Sequence, residues 1–237
     1  MTRNISGWDI GGAHVKVARC TQKGELIQVI QVLCPLWQGI EQLEHAIDSI
    51  FNILDNQHDI AAITMTGELV DIFSDRQAGV DEILRCLSKF IDVDNSLVYG
   101  AEAGWLTPNQ ARQQWHHIAS RNWQASADLV VQAIPNGLFV DMGSTTCDII
   151  PLVDGHAAPQ DIDDFGRQTS RELLYTGTIR TPLIALSHTA PFNGTLVSLA
   201  AEVFASTGDI WCLLDKLAPN TIQDNSADGQ SWQKSSC

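Results

Sequence analysis

Two stretches of the chain repeat one another: "GWDIGGAHVKVARC" from Gly7 and "FVDMGSTTCDIIPL" from Phe139. Each reads as a strand, an Asp-x-Gly, a small turn and a second strand. Asp9 matches Asp141 at an offset of 132 (141 − 9), and Gly11 matches Gly143. Gly12-Ala13-His14 overlies Ser144-Thr145-Thr146, and Lys16 overlies Asp148. A duplication that opens each time on a hairpin restricts the chain to two similar α/β lobes.

The segments between the hairpins fit that restriction. Strands are expected over 5–10, 14–20 and 26–33, the last from its alternation. Ile40, Leu43, Ala46, Ile47, Ile50, Phe51 and Leu54 recur at helical spacing and predict a helix over 40–55. A buried-type strand follows at 60–66. Val80, Ile83, Leu84, Leu87 and Phe90 mark a second helix, and 96–99 a short strand. Thr107-Pro108, an N-cap with proline at the first helical position, predicts a polar connecting helix carrying Trp115 and Trp123. The pattern restarts with strands at 137–141 and 147–153. Helices are expected near 167–175 and over 195–206, where Leu196, Leu199, Ala200, Val203 and Phe204 would share a face. The expected organisation is therefore a first lobe over 1–106, a connector over 107–135, a second lobe over 136–217 and a mobile tail over 218–237.

Composition excludes several classes of function. With 28 acidic against 14 basic side chains the net charge is −14, which disfavours an electrostatic grip on nucleic acid or anionic membrane. A small phosphorylated substrate is still compatible, because backbone N–H groups and a metal ion hold phosphates without a basic patch. The N-terminus lacks an apolar signal region, and no stretch approaches the roughly 20 apolar residues of a membrane span. Six scattered cysteines without a C-x-x-C pair suggest reduced thiols, so the expected compartment is the cytoplasm. On that expectation the N-x-S/T matches at Asn4 and Asn193 are fortuitous. A homo-oligomer stays open.

A tight glycine turn exposes several backbone N–H groups to one side and lets a phosphate approach closely. The aspartate before each turn would repel a bare phosphate, so its presence calls for a cation. Mg²⁺ bridging carboxylate and phosphate oxygens resolves the conflict. Two such hairpins facing one another would grip a di- or triphosphate. The glycines enter a strand rather than a helix, and no G-x-x-x-x-G-K-[ST] occurs, so neither a dinucleotide fingerprint nor a P-loop is present.

"DIGGAHVKVA" and "DMGSTTCDIIP" resemble the two phosphate motifs of the acetate/sugar kinase–Hsp70–actin superfamily. More narrowly, "TMTGEL" (64–69), "AEAGW" (101–105), "ELLYTGTIRTP" (172–182) and "AEVFASTGDIW" (201–211) resemble a hydantoinase/oxoprolinase-like family tied to tetrahydromethanopterin-linked one-carbon transfer. The resemblance covers nearly the whole chain. It implies a duplicated ribonuclease-H-like, actin/sugar-kinase-like fold with mixed sheets. It also implies a Mg²⁺-dependent transferase of methanofuran-type cofactor biosynthesis, coupling a furanmethyl diphosphate to a phenolic acceptor with release of diphosphate.

On that reading Asp9, Asp141 and Asp148 position Mg²⁺, with Asp9 and Asp141 in the catalytic centre. Gly11, Gly12, Gly143, Ser144, Thr145 and Thr146 cradle the phosphates. Lys16 adds a point charge or lies in solvent. Glu68 is the general-base candidate, its alternative being a loop cap. Arg180 clamps an anionic group or serves a structural ion pair. Tyr175 and Trp105 stack on an aromatic ring or pack in the core. His116 and His117, adjacent on a helix, would point apart, which is wrong for paired metal ligation. Cys147 is read as a small buried residue.

Family members are commonly longer, continuing past an "ADG"-type stretch where this chain stops, so a second lobe short of its closing elements is expected. Two other functions suit the same hairpins: an ATP-dependent phosphotransferase or ATPase, and a noncatalytic phosphate- or nucleotide-binding subunit.

Overall fold

The computed structural model describes residues 3–54 and 59–217. The chain divides into two compact units, Met1–Leu129 and Val130–Cys237, and the division falls inside the expected connector. The expected tail, 218–237, lies outside the described residues.

In the first unit alternation dictates the strands. β1 (Ile5–Ile10), β2 (His14–Cys20) and β3 (Leu26–Leu33) form an antiparallel meander with the predicted boundaries. Helix α1 (Glu41–Ile53) then crosses over to β4 (Ile60–Met65), and α2 (Arg76–Leu87) to β5 (Ser96–Tyr99). β4 lies parallel to β1, and β5 parallel to β4, the arrangement that a helical crossover permits. The short β6 (Trp105–Leu106) completes the order β3-β2-β1-β4-β5-β6.

One face of this sheet is the core. Ser6, Trp8 and Ile10 of β1 are buried alternately, opposite Val17 and Val15 of β2 and beside Ala61, Ile63 and Met65 of β4. Leu43, Ile47 and Ile50 of α1 and Val80, Ile83 and Leu84 of α2 belong to the same cluster. Each such side chain contributes about 1.5–3 kcal/mol by burial. The Trp8 and Phe51 rings meet at 5.7 Å, and the buried Trp8 indole donates to Ser6 Oγ at 3.0 Å.

The long connecting helix expected from Thr107 does not form. Thr107 does cap a helix, with Gln110 completing a capping box, but α3 (Pro108–Gln113) ends after six residues. A 3-10 turn at Trp115–His117 follows, then Ser120 in the left-handed region at φ 57°, then α4 (Asn122–Val130). The break has a tertiary cause: the Ser120 N–H reaches Glu68 Oε1 at 2.8 Å, and Ile118, Ala119 and Trp123 turn into the interior.

The second unit opens on β7 (Gly137–Met142) and β8 (Cys147–Val153), then β9 (His156–Ala157) and α5 (Asp164–Ser170). The helix expected near 167–175 stops early because Arg171 takes a left-handed φ of 65° and the Glu172 N–H turns back to the Arg167 carbonyl. β10 (Leu173–Leu174) then pairs with β8, giving the order β10-β8-β7 with β9 also on β8.

After α6 (Leu183–Leu186) comes a second correction. The helix expected over 195–206 is absent, and β11 (Thr189–Phe192) and β12 (Thr195–Ser198) form a hairpin instead. Asn193 and Gly194 both have positive φ, 48° and 76°, the signature of a two-residue turn that favours Asn-Gly. That local preference outweighs an apolar spacing that suits either structure. The next helix, α7 (Thr207–Leu213), begins at the Ser206–Asp209 capping box.

Candidate functional site

The two glycine turns are the same structure built twice. In the first, Asp9 faces Lys16, Ile10 faces Val15, and the Gly11 N–H donates to the His14 carbonyl at 3.0 Å. In the second, Asp141 faces Asp148, Met142 faces Cys147, and the Gly143 N–H donates to the Thr146 carbonyl at 2.8 Å. Every one of these pairs obeys the sequence offset of 132 (141 − 9).

Turn carbonyls and turn N–H groups are used differently. The Gly12 carbonyl accepts from Leu36 N–H at 3.1 Å and the Ala13 carbonyl from Cys34 N–H at 2.8 Å. In the second turn the Gly143 carbonyl accepts from Thr178 N–H, and the Ser144 carbonyl from Ile179 and Arg180 N–H groups, at 2.9–3.1 Å. Among the described residues, no protein acceptor takes the N–H of Gly12, Ala13, Ser144 or Thr145. Oxygens drawn inward with N–H groups left available make an anion-binding concavity. Glycine is required for the packing around both. A Cβ on Gly12 would lie 2.8 Å from Val70 Cγ2, and one on Gly177 would lie 2.5 Å from the Ser144 carbonyl.

The sequence reading picks out 172–182 as a family motif and Arg180 within it, but not its packing on the second turn. Gly177 to Thr181 wraps it from outside, and Thr181 Oγ1 both accepts from the Gly177 N–H at 2.7 Å and donates to the Gly177 carbonyl at 3.1 Å. The signal available was the Thr176-x-x-x-x-Thr181 spacing around Gly177 in "YTGTIRT". Arg180 sits beside the turn through its main chain, which donates to the Ser144 carbonyl.

The acids differ in their company. Lys16 Nζ lies 3.0 Å from Asp9 Oδ2, with the lysine side chain half exposed, while Asp9 Oδ1 is buried without a hydrogen-bond partner. Asp141 is exposed. Asp148, expected as a metal holder, gives Oδ1 to Arg167 Nη2 at 2.9 Å, and that guanidinium is almost wholly buried. Burial raises the Asp148 carboxyl above the usual range, and the Arg167 charge opposes that rise. The Asp148 partner, 19 residues away (167 − 148), left no local signature. No three His, Cys, Asp or Glu gather as a metal cage among the described residues. Mg²⁺ does not need one, since it usually keeps several waters and takes one or two carboxylates plus phosphate.

Glu68 lies in the turn after β4, in the segment that packs on the first glycine turn through Thr66 and Val70. It is 2% exposed, and Ser120 donates to Oε1 by N–H and by hydroxyl, at 2.8 and 3.3 Å. Its second oxygen, Oε2, is buried without a partner. Burial pushes the Glu68 carboxyl up to about 7, against the pull of those hydrogen bonds.

The remaining sequence candidates fall elsewhere. Trp105 is exposed, edge-on to Tyr99 at 5.6 Å, and Tyr175 is exposed. The rings of His116 and His117 do not point apart: in the 3-10 turn their centroids are 4.3 Å from one another. Cys147 is buried, and its thiol is raised by burial and by the neighbouring Asp148 and Asp141.

Residues 59–219 match the hydantoinase/oxoprolinase family. The chain is similar to the (4-{4-[2-(gamma-L-glutamylamino)ethyl]phenoxymethyl}furan-2-yl)methanamine synthase of Methanocaldococcus jannaschii, 32% identical over 234 residues, covering 98% of this chain and 68% of that one. It is 45% identical to the synthase of the same name from Methanococcus vannielii over 109 residues, 46% of this chain and 49% of that one. Among solved structures it is similar to an exopolyphosphatase from Cytophaga hutchinsonii, at 15% identity and a TM-score of 0.42, covering 79% of this chain and 55% of the other. It is likewise similar to an Aquifex aeolicus member of the Ppx/GppA family, at 11% identity and a TM-score of 0.43, covering 82% and 57%. The chain thus spans just over half the length of those structures. The fold class is α/β with mixed sheets, as expected: the first unit's sheet runs β3-β2-β1-β4-β5-β6, with parallel and antiparallel neighbours.

Proposed function

The chain belongs to the hydantoinase/oxoprolinase family, and from that premise we propose that it is a synthase of methanofuran-type cofactor assembly. The reaction proposed is attack of a phenolic oxygen on the methylene of a furanmethyl diphosphate. A C–O ether bond forms, the bond from methylene carbon to diphosphate oxygen breaks, and diphosphate leaves with the bonding pair. The phenoxymethyl-furan linkage in the name of the M. jannaschii relative is the observation that carries this reading.

The residues supply the parts that such a displacement needs. The N–H groups of Gly12 and Ala13 in one unit, and of Ser144 and Thr145 in the other, are free to bond phosphate oxygens and to stabilise charge as it develops on the leaving group. Lys16 and Arg180 stand beside their respective turns. Asp9, with Oδ1 buried and unpartnered, would hold Mg²⁺ in the first unit, and the exposed Asp141 would do so in the second. When bound, the ion supplies charge neutralisation at the departing diphosphate. Asp148 is committed to Arg167 and orients the second hairpin. Glu68 is the proposed acceptor of the phenolic proton: Oε2 has no partner, and a carboxyl held near neutrality suits a general base.

The test is to incubate the chain with Mg²⁺, an aminomethyl-furanmethyl diphosphate and γ-glutamyltyramine, counting diphosphate against ether. One diphosphate per ether is expected, with Gly12→Val lowering turnover and diphosphate-ester binding at least tenfold. Turnover of ATP with no acceptor present would instead point to a phosphotransferase or ATPase. Binding without turnover would point to a noncatalytic subunit.

A further inference from the structure

The stretch "AEAGW" (101–105) takes no part in the proposed reaction, yet it stands on the same edge of the first sheet. β1, β4 and β5 run parallel, so their carboxyl ends lie together. That edge carries the Gly11-Gly12 turn after β1, Glu68 after β4 and a 3-10 turn, Ala101–Ala103, after β5. Ligands of open α/β sheets sit outside such an edge. The face is shared too. Asp9 pairs with Lys16 and with Thr64, Tyr99 pairs with Trp105, and Ile63 pairs with Val98, one residue short of Thr64 and Tyr99. By alternation this row lies on the face opposite the buried Trp8, Ile63 and Val98.

The loop after β5 is firmly built. Ala101 takes a left-handed φ of 49°, unusual for a residue with a Cβ. The Gly100 N–H donates to the Gly104 carbonyl and the Gly104 N–H to the Ala101 carbonyl, both at 2.9 Å. Glu102 is exposed, and its Oε1 accepts from Gln124 Nε2 at 3.3 Å. Gln124 Oε1 in turn accepts from Nη1 of the buried Arg121 at 3.4 Å. Arg121 follows Ser120, the partner of Glu68, so one short segment positions both carboxyls. Burial raises the Glu102 carboxyl, but hydrogen bonds from its own N–H and from Gln124, with the Arg121 and His117 charges, hold it below the usual range. Among the described residues it forms no ion pair. Three residues on, Trp105 is 55% exposed, its ring set edge-on by Tyr99, whose hydroxyl donates to Asp128.

A carboxylate held by a neutral amide, with an open indole nearby, suits an organic ammonium: one supplies a charge-assisted hydrogen bond and the other a cation–π contact. We propose that Glu102 and Trp105 form a subsite for a primary ammonium on the furan donor and so select an aminomethyl-bearing substrate, an inference that rests on the furanmethyl diphosphate reaction. Adjacent strands lie about 4.8 Å apart, which separates the ends of β1 and β5 by about 10 Å. A furan ring with a one-carbon arm on each side spans that gap, its diphosphate at Gly12 and its nitrogen at Glu102. The methanamine in the name of the M. jannaschii relative has this chemistry.

The test is calorimetric titration, with Mg²⁺ and no acceptor, of the aminomethyl-furanmethyl diphosphate and of its analogue with methyl in place of aminomethyl. The unaltered chain should bind the aminated ester at least tenfold more tightly. Glu102→Gln, which keeps the acceptor for Gln124, should weaken the aminated ester at least tenfold and leave the methyl analogue unchanged. Trp105→Leu should weaken the aminated ester about threefold, again without effect on the analogue. Equal binding of the two esters by the unaltered chain would overturn the subsite and leave the proposed reaction standing. Equal weakening of both esters by Glu102→Gln would reduce that residue to a structural role and overturn the subsite as well. Binding of neither ester would overturn subsite and reaction together. γ-Glutamyltyramine also carries an ammonium, which glutaryl-tyramine lacks. A Glu102→Gln variant that raises KM for the first acceptor alone, with donor binding intact, would overturn the proposal in favour of an acceptor site.

Discussion

At the scale of single residues, Glu68 holds the most informative position. Its carboxyl is out of water, one oxygen is satisfied by Ser120 and the other by nothing in the protein. The folded state therefore keeps the proton up to about pH 7, whereas the unfolded chain releases it near 4.5. A folded value raised above the unfolded one gives stability that is fully present below pH 4.5 and is lost as pH rises through 7. Urea titrations from pH 4.5 to 8 should show a decline on the order of 3 kcal/mol, absent in Glu68→Gln, which keeps the acceptor for Ser120. Parallel slopes in the two proteins would rule out the buried carboxyl as the cause. The buried Cys34 and Cys86 thiols, pushed up by burial to about 11 and about 12, stay protonated throughout that range and add no slope.

At the scale of elements, the hairpins were legible because everything that specifies them is local. Period-two alternation and an Asp-x-Gly turn lie within 14 residues, and β1, β2, β3, β5 and β8 begin and end where that pattern places them. The misread elements are those where two local rules compete. Leu196 to Phe204 has a helical spacing, but Asn193-Gly194 ahead of it dictates a hairpin. Gly194→Val should cost about 1–2 kcal/mol, since a side chain there must adopt φ near 76° although its Cβ would meet nothing within 4 Å. Exchange of the 189–198 amides would quicken by at least fivefold, and unchanged exchange would refute the turn assignment. The connecting helix was misread for a different reason. Its break at Ser120 answers to Glu68, 52 residues away, which no window of sequence contains.

At the scale of the whole molecule, the hydrophobic cluster is confined to the first unit, running from Trp8 to Ala119. Residues 1–130, which keep α4 whole, should fold alone with one cooperative urea transition and the near-ultraviolet dichroism of the buried Trp8 and Trp123. A fragment lacking that signal would mean that the first core depends on the remainder of the chain. No helix among the described residues is long and apolar enough to cross a membrane.

By itself the sequence determined the duplicated hairpins, their register, the acids that flank them and the kinship with one family. All of these rest on patterns within a few residues or on motif identity. Only the tertiary structure decided which acids are free. Asp148 gives one oxygen to Arg167, whereas Asp9 and Glu68 each keep one buried oxygen without a partner. It also decided that the turn carbonyls point to Leu36, Cys34 and the 178–180 segment, which leaves the turn N–H groups available. The physical reason is common to these cases. Burial and hydrogen-bond partnership belong to elements that meet in space, and their strength depends on the water excluded when they meet.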